Sequence, residues 1–370
     1  MSFSEHWKTL NWDDIRLSIY SKTAGDVSRA LAKPKRDLED FKALISPAAE
    51  PFLEQMAQQA AAMTRRRFGY TVNFYVPLYL SNLCANACTY CGFSMENRIK
   101  RRTLSLDEIQ RECDAIKQMR FDSILLVTGE HQTKVGMAYF REAIPAIKQH
   151  FSYLAMEVQP LAEMEYAELK GLGLDAVMVY QETYNRSTYA EHHLRGNKTD
   201  FAYRLDTPDR LARAGVDKIG IGALIGLDEW RTDCFFAASH LDYLEQTYWR
   251  SRYSISFPRL RPCEGAVQPK SVMTDRQLVQ LICAYRLFNP EVELSLSTRE
   301  SPAFRDKVLP LGITSMSAAS KTQPGGYADD EPELEQFAVS DERSAQEVAS
   351  AVKQAGFDVV WKDWQVGYSG

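Results

Sequence analysis

Eight short apolar or alternating runs, each separated from the next by a helix-like stretch, recur along most of this 370-residue chain. They span residues 72–80, 123–128, 153–159, 176–181, 218–223, 253–257, 293–298 and 313–317. Runs this short, bounded by polar residues, have strand length. The stretches between them carry helix punctuation. Ser105 is followed at the third position by Glu108, a capping box, and Ile109, Cys113 and Ile116 then fall on one helical face. Strand and helix alternating about eight times predict a parallel (β/α)8 TIM-type barrel, closed or slightly open. In such a barrel, chemistry gathers at the C-terminal ends of the strands.

The remaining chain is assigned to the barrel's two ends. Residues 1–70 predict a helical extension, with Asp13, Asp14, Glu39 and Asp40 near helix starts and good helix formers over 51–67. Residues 71–320 form the barrel. Residues 321–370 form a C-terminal cap that opens on the turn signal Gln323 to Tyr327 and holds a last helix near 344–354.

Composition excludes several classes. Hydrophobic residues at 45% and charged residues at 25% match a globular chain rather than a disordered or fibrous one. Lys+Arg 44 against Asp+Glu 49 leaves a net charge of -5, which predicts no dedicated nucleic-acid partner. No apolar run approaches the roughly 18 residues of a membrane span, so no membrane partner is expected. The first residues mix His, Lys, Glu and Trp without a signal-peptide core, so a cytoplasmic location is expected. Seven cysteines without an export signal point to metal or catalytic use rather than a disulfide framework.

Three of the seven stand together as Cys84, Cys88 and Cys91, a C-x3-C-x2-C spacing directly after the first strand. Three thiolates within eight residues can wrap one iron–sulfur cubane. A [4Fe–4S] cluster normally takes four cysteine ligands, so a triplet leaves one iron open to an outside ligand. Zinc is the rival reading, but structural zinc wants four ligands, and no second Cys pair or nearby Cys/His pair exists. The remaining cysteines, Cys113, Cys234, Cys263 and Cys283, are scattered and read as small hydrophobes.

Farther along, Ser295, Ser297 and Arg299 are spaced by two and share one strand face, while Leu294, Leu296 and Thr298 share the other. The polar face belongs to the barrel lumen. An arginine there needs an anionic partner, either a bound carboxylate or an internal glutamate such as Glu300 or Glu157. Arg98 to Arg102 is a basic run after the cysteine loop. It reads as a solvated loop or as a landing site for an acidic reductant.

The cysteine spacing, with Tyr90 before the last Cys, resembles that of the radical S-adenosylmethionine (radical SAM, AdoMet) enzymes. Cys-Thr-Tyr-Cys-Gly-Phe, Leu126 to His131, Tyr180 to Tyr184 and Leu296 to Glu300 together resemble the aromatic-amino-acid lyases of that superfamily, closest to the 2-iminoacetate synthase (tyrosine lyase) family. The resemblance runs from about residue 5 to about residue 365. It implies a [4Fe–4S] cluster on Cys84, Cys88 and Cys91 whose open iron binds AdoMet. It also implies cleavage of the L-tyrosine Cα–Cβ bond to 2-iminoacetate and p-cresol for thiazole formation in thiamine biosynthesis. The implied partners are the thiazole synthase ThiG and a flavodoxin-type reductant.

The same resemblance distributes roles over individual residues. Tyr90, Gly129, Glu130, Glu182, Arg204, Ile221, Gly222 and Arg261 are expected around AdoMet. Thr128 stands where the family's Gly-Gly-Glu stretch has its first glycine, a change that a backbone contact tolerates. Ser295, Ser297 and Arg299 are expected to hold the substrate carboxylate, and His240 to handle a phenol or amine proton. By local pattern alone His240 is a packed or surface helix histidine, and Glu182 and Arg204 are ordinary ion-pair formers. The related hydrogenase-maturation tyrosine lyase carries a cysteine-bearing C-terminal region for a second cluster. No Cys follows Cys283 here, so carbon monoxide and cyanide are not expected as end products. Two other activities remain open: a radical AdoMet lyase acting on tryptophan or another amino acid, and an iron–sulfur electron carrier.

Overall fold

The computed structural model describes residues 2–263, 267–329 and 335–362. Its strands are β1 (Thr71–Ser81), β2 (Ala87–Cys88), β3 (Ser123–Thr128), β4 (Tyr153–Glu157), β5 (Ala176–Met178), β6 (His193–Arg195), β7 (Lys218–Gly222), β8 (Arg252–Ser256), β9 (Glu293–Leu296), β10 (Ser315–Ser317) and β11 (Asp358–Val360). Neighbours run β1-β3-β4-β5-β7-β8-β9-β10, and β10 pairs back to β1 with Phe74 opposite Met316. The eight-stranded parallel barrel is therefore closed. β11 is added beside the first residues of β1, pairing Val72 with Val359.

Both faces of these strands are covered, which is why β3 reads as an unbroken apolar run and is buried throughout. The helix over Leu106–Gln118 carries the capping box at Ser105 and Glu108 and buries Ile109, Cys113 and Ile116. The last described helix, Ala345–Gln354, is capped by Ser344.

Alternation along each strand sorts side chains between the helices and the lumen. On β4, Leu154 and Met156 join the outer core, while Tyr153, Ala155 and Glu157 face inward. On β1, Tyr75 and Tyr79 face inward in the same way. Near its base the lumen narrows to a smaller cavity lined by Tyr153, Ser295, Ser315 and the Lys218–Glu293 ion pair. Above that layer it opens into a larger cavity.

The helices over residues 3–68 lie against the outer barrel helices. Phe41 packs on Tyr285 and Phe288, and Trp12 stacks on Phe236. Their apolar side chains join the barrel's outer layer in one continuous core. The chain after β10 returns across the barrel mouth. The buried Glu112 carboxylate accepts the Tyr327 and Ala328 N–H groups, and the Ser340 and Asp341 N–H groups donate to the Thr298 carbonyl. Parts of the expected C-terminal cap, residues 330–334 and 363–370, lie outside the described residues.

Candidate functional site

The barrel mouth opens into a cavity larger than the one at the base of the lumen. Strand ends and three loops build its wall.

The first loop carries the cysteines. Cys84, Cys88 and Cys91 all line the cavity. The loop is held at several points. The short β2 pairs antiparallel with β6. The Ala85 N–H donates to the Glu130 carbonyl at 2.8 Å. Arg101 donates to the Asn82, Phe93, Ser94 and Asn97 carbonyls at 2.6–3.1 Å. Gly129 allows the strand end to approach, because a Cβ there would meet the Leu83 carbonyl oxygen at 2.4 Å.

The triplet suits a cluster better than a lone ion. Among the described residues no three His, Cys, Asp or Glu side chains converge on one point. The three thiols line the cavity together, flanked by Phe93, Leu224 and Leu260. Sulfur-directed donors are present: the Asn86 N–H lies 3.4 Å from Cys84 Sγ and the Gln336 amide 3.8 Å from Cys91 Sγ. Such donors tune a thiolate-bound cluster. Burial pushes all three thiols up, Cys91 to about 11; a bound cation reverses that shift by favouring thiolate.

Beside the triplet is a buried four-charge network. Arg204 pairs with Glu130 at 3.0 Å and with Glu182 at 3.6 Å, and Lys198 pairs with Glu182 at 2.7 Å. Burial pushes the Glu182 carboxyl up, but Lys198 and Arg204 outweigh it and hold it below its ordinary value. Glu182 also has a φ of +70°, in the left-handed region. Such strain persists only where the surroundings enforce it, commonly at functional sites. Here the Glu182 carbonyl accepts the Leu224 N–H at 2.8 Å. Tyr90 lines the same wall. Its hydroxyl is bonded to His193 at 2.7 Å, and the Lys198 ammonium lies 5.6 Å from its ring centre.

Ser297 and Arg299 enter the same cavity from the end of β9. The internal pairing that would have explained Arg299 is not made. Glu300 is occupied by Arg259 and Arg261, and no carboxylate among the described residues lies within ion-pair distance of Arg299. Its guanidinium lies over the Phe337 ring, 3.3 Å from the centre. The residue lines the cavity.

Of the sequence-derived candidates, Cys84, Cys88, Cys91, Tyr90, Gly129, Glu130, Glu182, Arg204, Ser297 and Arg299 share this cavity. Five do not line it. Ser295 faces the lumen one layer lower, bonded to Tyr75 at 3.2 Å. Ile221 packs in the outer core, because alternation on β7 turns it away from the lumen. Gly222 lies against β8, where a Cβ would meet the Ser256 carbonyl at 2.0 Å. Arg261 is bound to Glu300 at 3.0 Å. His240 lies in the outer helix Trp230–Thr247, stacked on Phe3 at 3.8 Å and bonded to the Tyr184 hydroxyl at 3.1 Å.

Sequence reasoning missed several residues in the wall. Glu157 was named only as an internal partner for Arg299, not as a residue of the site, although it is a carboxylate at a strand end. Lys198, Gln336 and Phe337 sit in segments without periodicity, and nothing local marks them. Cys263 is not remote: its thiol donates to the Tyr90 carbonyl, beside the cysteine loop but outside the cavity wall. The basic run is partly structural, since Arg101 binds loop carbonyls and Arg102 pairs with Glu108 and Asp329.

Comparison with known proteins agrees with this geometry. The radical SAM superfamily profile matches residues 78–233, and the biotin and thiamin synthesis associated domain matches residues 256–358. The 2-iminoacetate synthase of Escherichia coli (strain K12) is 65% identical over 98% of this chain and 97% of its own length. That of Salmonella typhimurium is 64% identical over the same shares. The chain belongs to the 2-iminoacetate synthase family. The crystal structure of the FeFe-hydrogenase maturase HydG from Carboxydothermus hydrogenoformans superposes with a TM-score of 0.84. It is 32% identical, covering 94% of this chain and 80% of that one. Enzymes of this kind use a [4Fe–4S] cluster and AdoMet.

Proposed function

We propose that this chain is a radical AdoMet lyase that cleaves the Cα–Cβ bond of L-tyrosine to 2-iminoacetate and p-cresol, for thiazole formation in thiamine biosynthesis. The observation that carries the reading is one cavity holding both an incomplete thiol set and an arginine without a carboxylate partner among the described residues. When bound, the cluster supplies the electron that splits AdoMet into methionine and a deoxyadenosyl radical.

The protein's own residues do the positioning. Glu130, Glu182, Lys198 and Arg204 give AdoMet a buried set of both charges next to the cysteine loop, and Tyr90 adds an aromatic face. Arg299, steadied by Phe337, would take the substrate carboxylate with help from Ser297 and so fix where the amine points. Orientation matters because a displacement of about 1 Å costs on the order of a hundredfold. Tyr79, Phe93 and Tyr180 give an aromatic lining. The 335–341 segment lies across the mouth and separates the reacting groups from water.

The lyase reading extends to partners and place. The product passes to a thiazole synthase. A flavodoxin-type reductant approaches the cysteine-loop face, where Arg98 and Lys100 are exposed. Among the described residues no helix is long and apolar enough to cross a membrane. The seven free cysteines support a reducing, cytoplasmic setting.

The test is anaerobic. The protein is reconstituted with iron and sulfide, mixed with AdoMet, a strong reductant and L-tyrosine, and assayed by mass spectrometry. Deoxyadenosine together with p-cresol is expected. Deoxyadenosine without p-cresol moves the substrate to tryptophan or another amino acid. Neither product, from a protein carrying an intact cluster, overturns the lyase reading.

A further inference from the structure

The cavity's charges are matched with two exceptions. Glu130 is bound by Arg204 and by Asn86, and Glu182 by Lys198. Arg299 has no carboxylate partner among the described residues. Neither has Glu157 a cation: no hydrogen bond or ion pair reaches its carboxylate there. Yet Glu157 is a lumen residue. It follows Tyr153 and Ala155 on the inward face of β4, one layer above them, and lines the same cavity as Arg299. Its carboxylate is partly exposed to the cavity and ringed by protein, which leaves it open to a ligand that supplies a positive charge.

An amino acid in solution carries one anionic and one cationic group on the same carbon. Those are the two charges the cavity lacks. We propose that Glu157 binds the α-ammonium of the substrate and takes one proton from it, while Arg299 holds the carboxylate. In that step an N–H bond breaks, its electron pair stays on nitrogen, and an O–H bond forms on the carboxylate. Nothing is oxidised or reduced. The neutral amine is the form from which removal of a hydrogen atom leaves an uncharged aminyl radical. The assignment rests on the lyase reading for its chemistry and on the cavity for its geometry.

The electrostatics suit a proton acceptor. Burial pushes the Glu157 carboxyl up to about 7, and the neighbouring Glu182 carboxylate adds to the rise. Arg299, Lys198 and Arg204 pull it down without pairing to it. The other titratable groups facing it are the phenols of Tyr75 and Tyr79 from β1 and of Tyr180 after β5, all held neutral by burial. A base near the working pH is the most effective one.

The test uses the reconstituted holoenzyme and reads amino-acid-dependent deoxyadenosine formation, with the substrate that stimulates the native protein. Every aromatic amino acid carries the same ammonium and carboxylate. Failure of the tyrosine assignment is therefore seen in the native protein, and failure of Glu157 in the variants. Glu157→Gln is expected to keep its iron content and cluster spectrum. Its turnover at neutral pH should fall by at least about 100-fold, and the deficit should shrink as pH rises towards the ammonium's own pKa. Its substrate affinity, measured by calorimetry without reductant, should also weaken. Glu157→Asp should retain a measurable neutral-pH rate with the native protein's low-pH limb. A Gln variant within about threefold of native at neutral pH overturns the proposal. So does one that is equally impaired at every pH with saturating substrate and an intact cluster.

Discussion

The Arg299 guanidinium lies 3.3 Å over the centre of the Phe337 ring, joining the end of β9 to the segment that crosses the barrel mouth. That contact fixes a guanidinium that no carboxylate among the described residues pairs with, while the Arg299 backbone N–H donates to the Ser297 hydroxyl at 3.4 Å. Removing the ring frees the guanidinium to sample other rotamers. Phe337→Ala is therefore expected to raise the KM for tyrosine about tenfold, in line with losing a desolvated cation–π contact of up to about 2 kcal/mol. Arg299→Ala should abolish p-cresol formation. Both variants should retain the native iron content; loss of the cluster in Arg299→Ala would end the substrate-binding assignment.

Arg101 makes a different kind of contact. Its guanidinium closes the cysteine loop by donating to four backbone carbonyls that no other side chain reaches together. A lysine has one compact donor group and cannot reproduce that fork. Arg101→Lys is expected to lower iron retention after reconstitution and to shift the cluster's reduction potential. Ser297 and Arg299 at the end of β9, which Arg101 does not touch, stay in place. Native iron content and potential in that variant would show the loop to be held well enough without it.

Gly129 tests the loop from the strand side. An added methyl group would meet the Leu83 carbonyl at 2.4 Å and Cys84 Cβ at 3.1 Å, both parts of the backbone or the first ligand. There is no flexible side chain to yield. Gly129→Ala should displace the first thiol and lose at least half of the bound iron, with far-ultraviolet circular dichroism unchanged because the barrel itself is untouched. Full iron loading would mean that the loop shifts as a unit.

Much of this was legible in the chain because it obeys short-range rules. The eight strands announce themselves since both faces of a parallel barrel are covered, and the two-residue period alone put Ser297 and Arg299 in the lumen. The thiol spacing is local. What escaped depends on tertiary distance. Arg101 looks like surface charge until the loop folds over it. Gln336 and Phe337 come from the chain's return across the mouth, some 245 residues beyond the cysteine that Gln336 approaches. His240 has polar-site credentials in sequence, yet helix packing places it against Phe3, away from the lumen. The matching of Glu130 and Glu182 with cations, and the absence of one at Glu157, exists only in three dimensions.

The buried histidines predict how stability depends on pH. Burial lowers His240 to about 3 and His193, with help from Lys198, to about 3 as well. Unfolded, each returns to about 6.5. The unfolded chain therefore binds more protons across this window, and stability is present above about pH 6.5 and lost as pH falls towards 3. Each group contributes a slope of up to about 1.4 kcal/mol per pH unit. His240→Phe keeps the aromatic stack on Phe3 and removes one of the two titrations. It is expected to flatten the fall in melting temperature between pH 6.5 and pH 5 and to leave p-cresol formation within about threefold of native. An unchanged pH slope would mean that His240 gains protonated access before global unfolding. A collapse of turnover with the cluster intact would instead give this residue, outside the cavity, a hold on the chemistry within it.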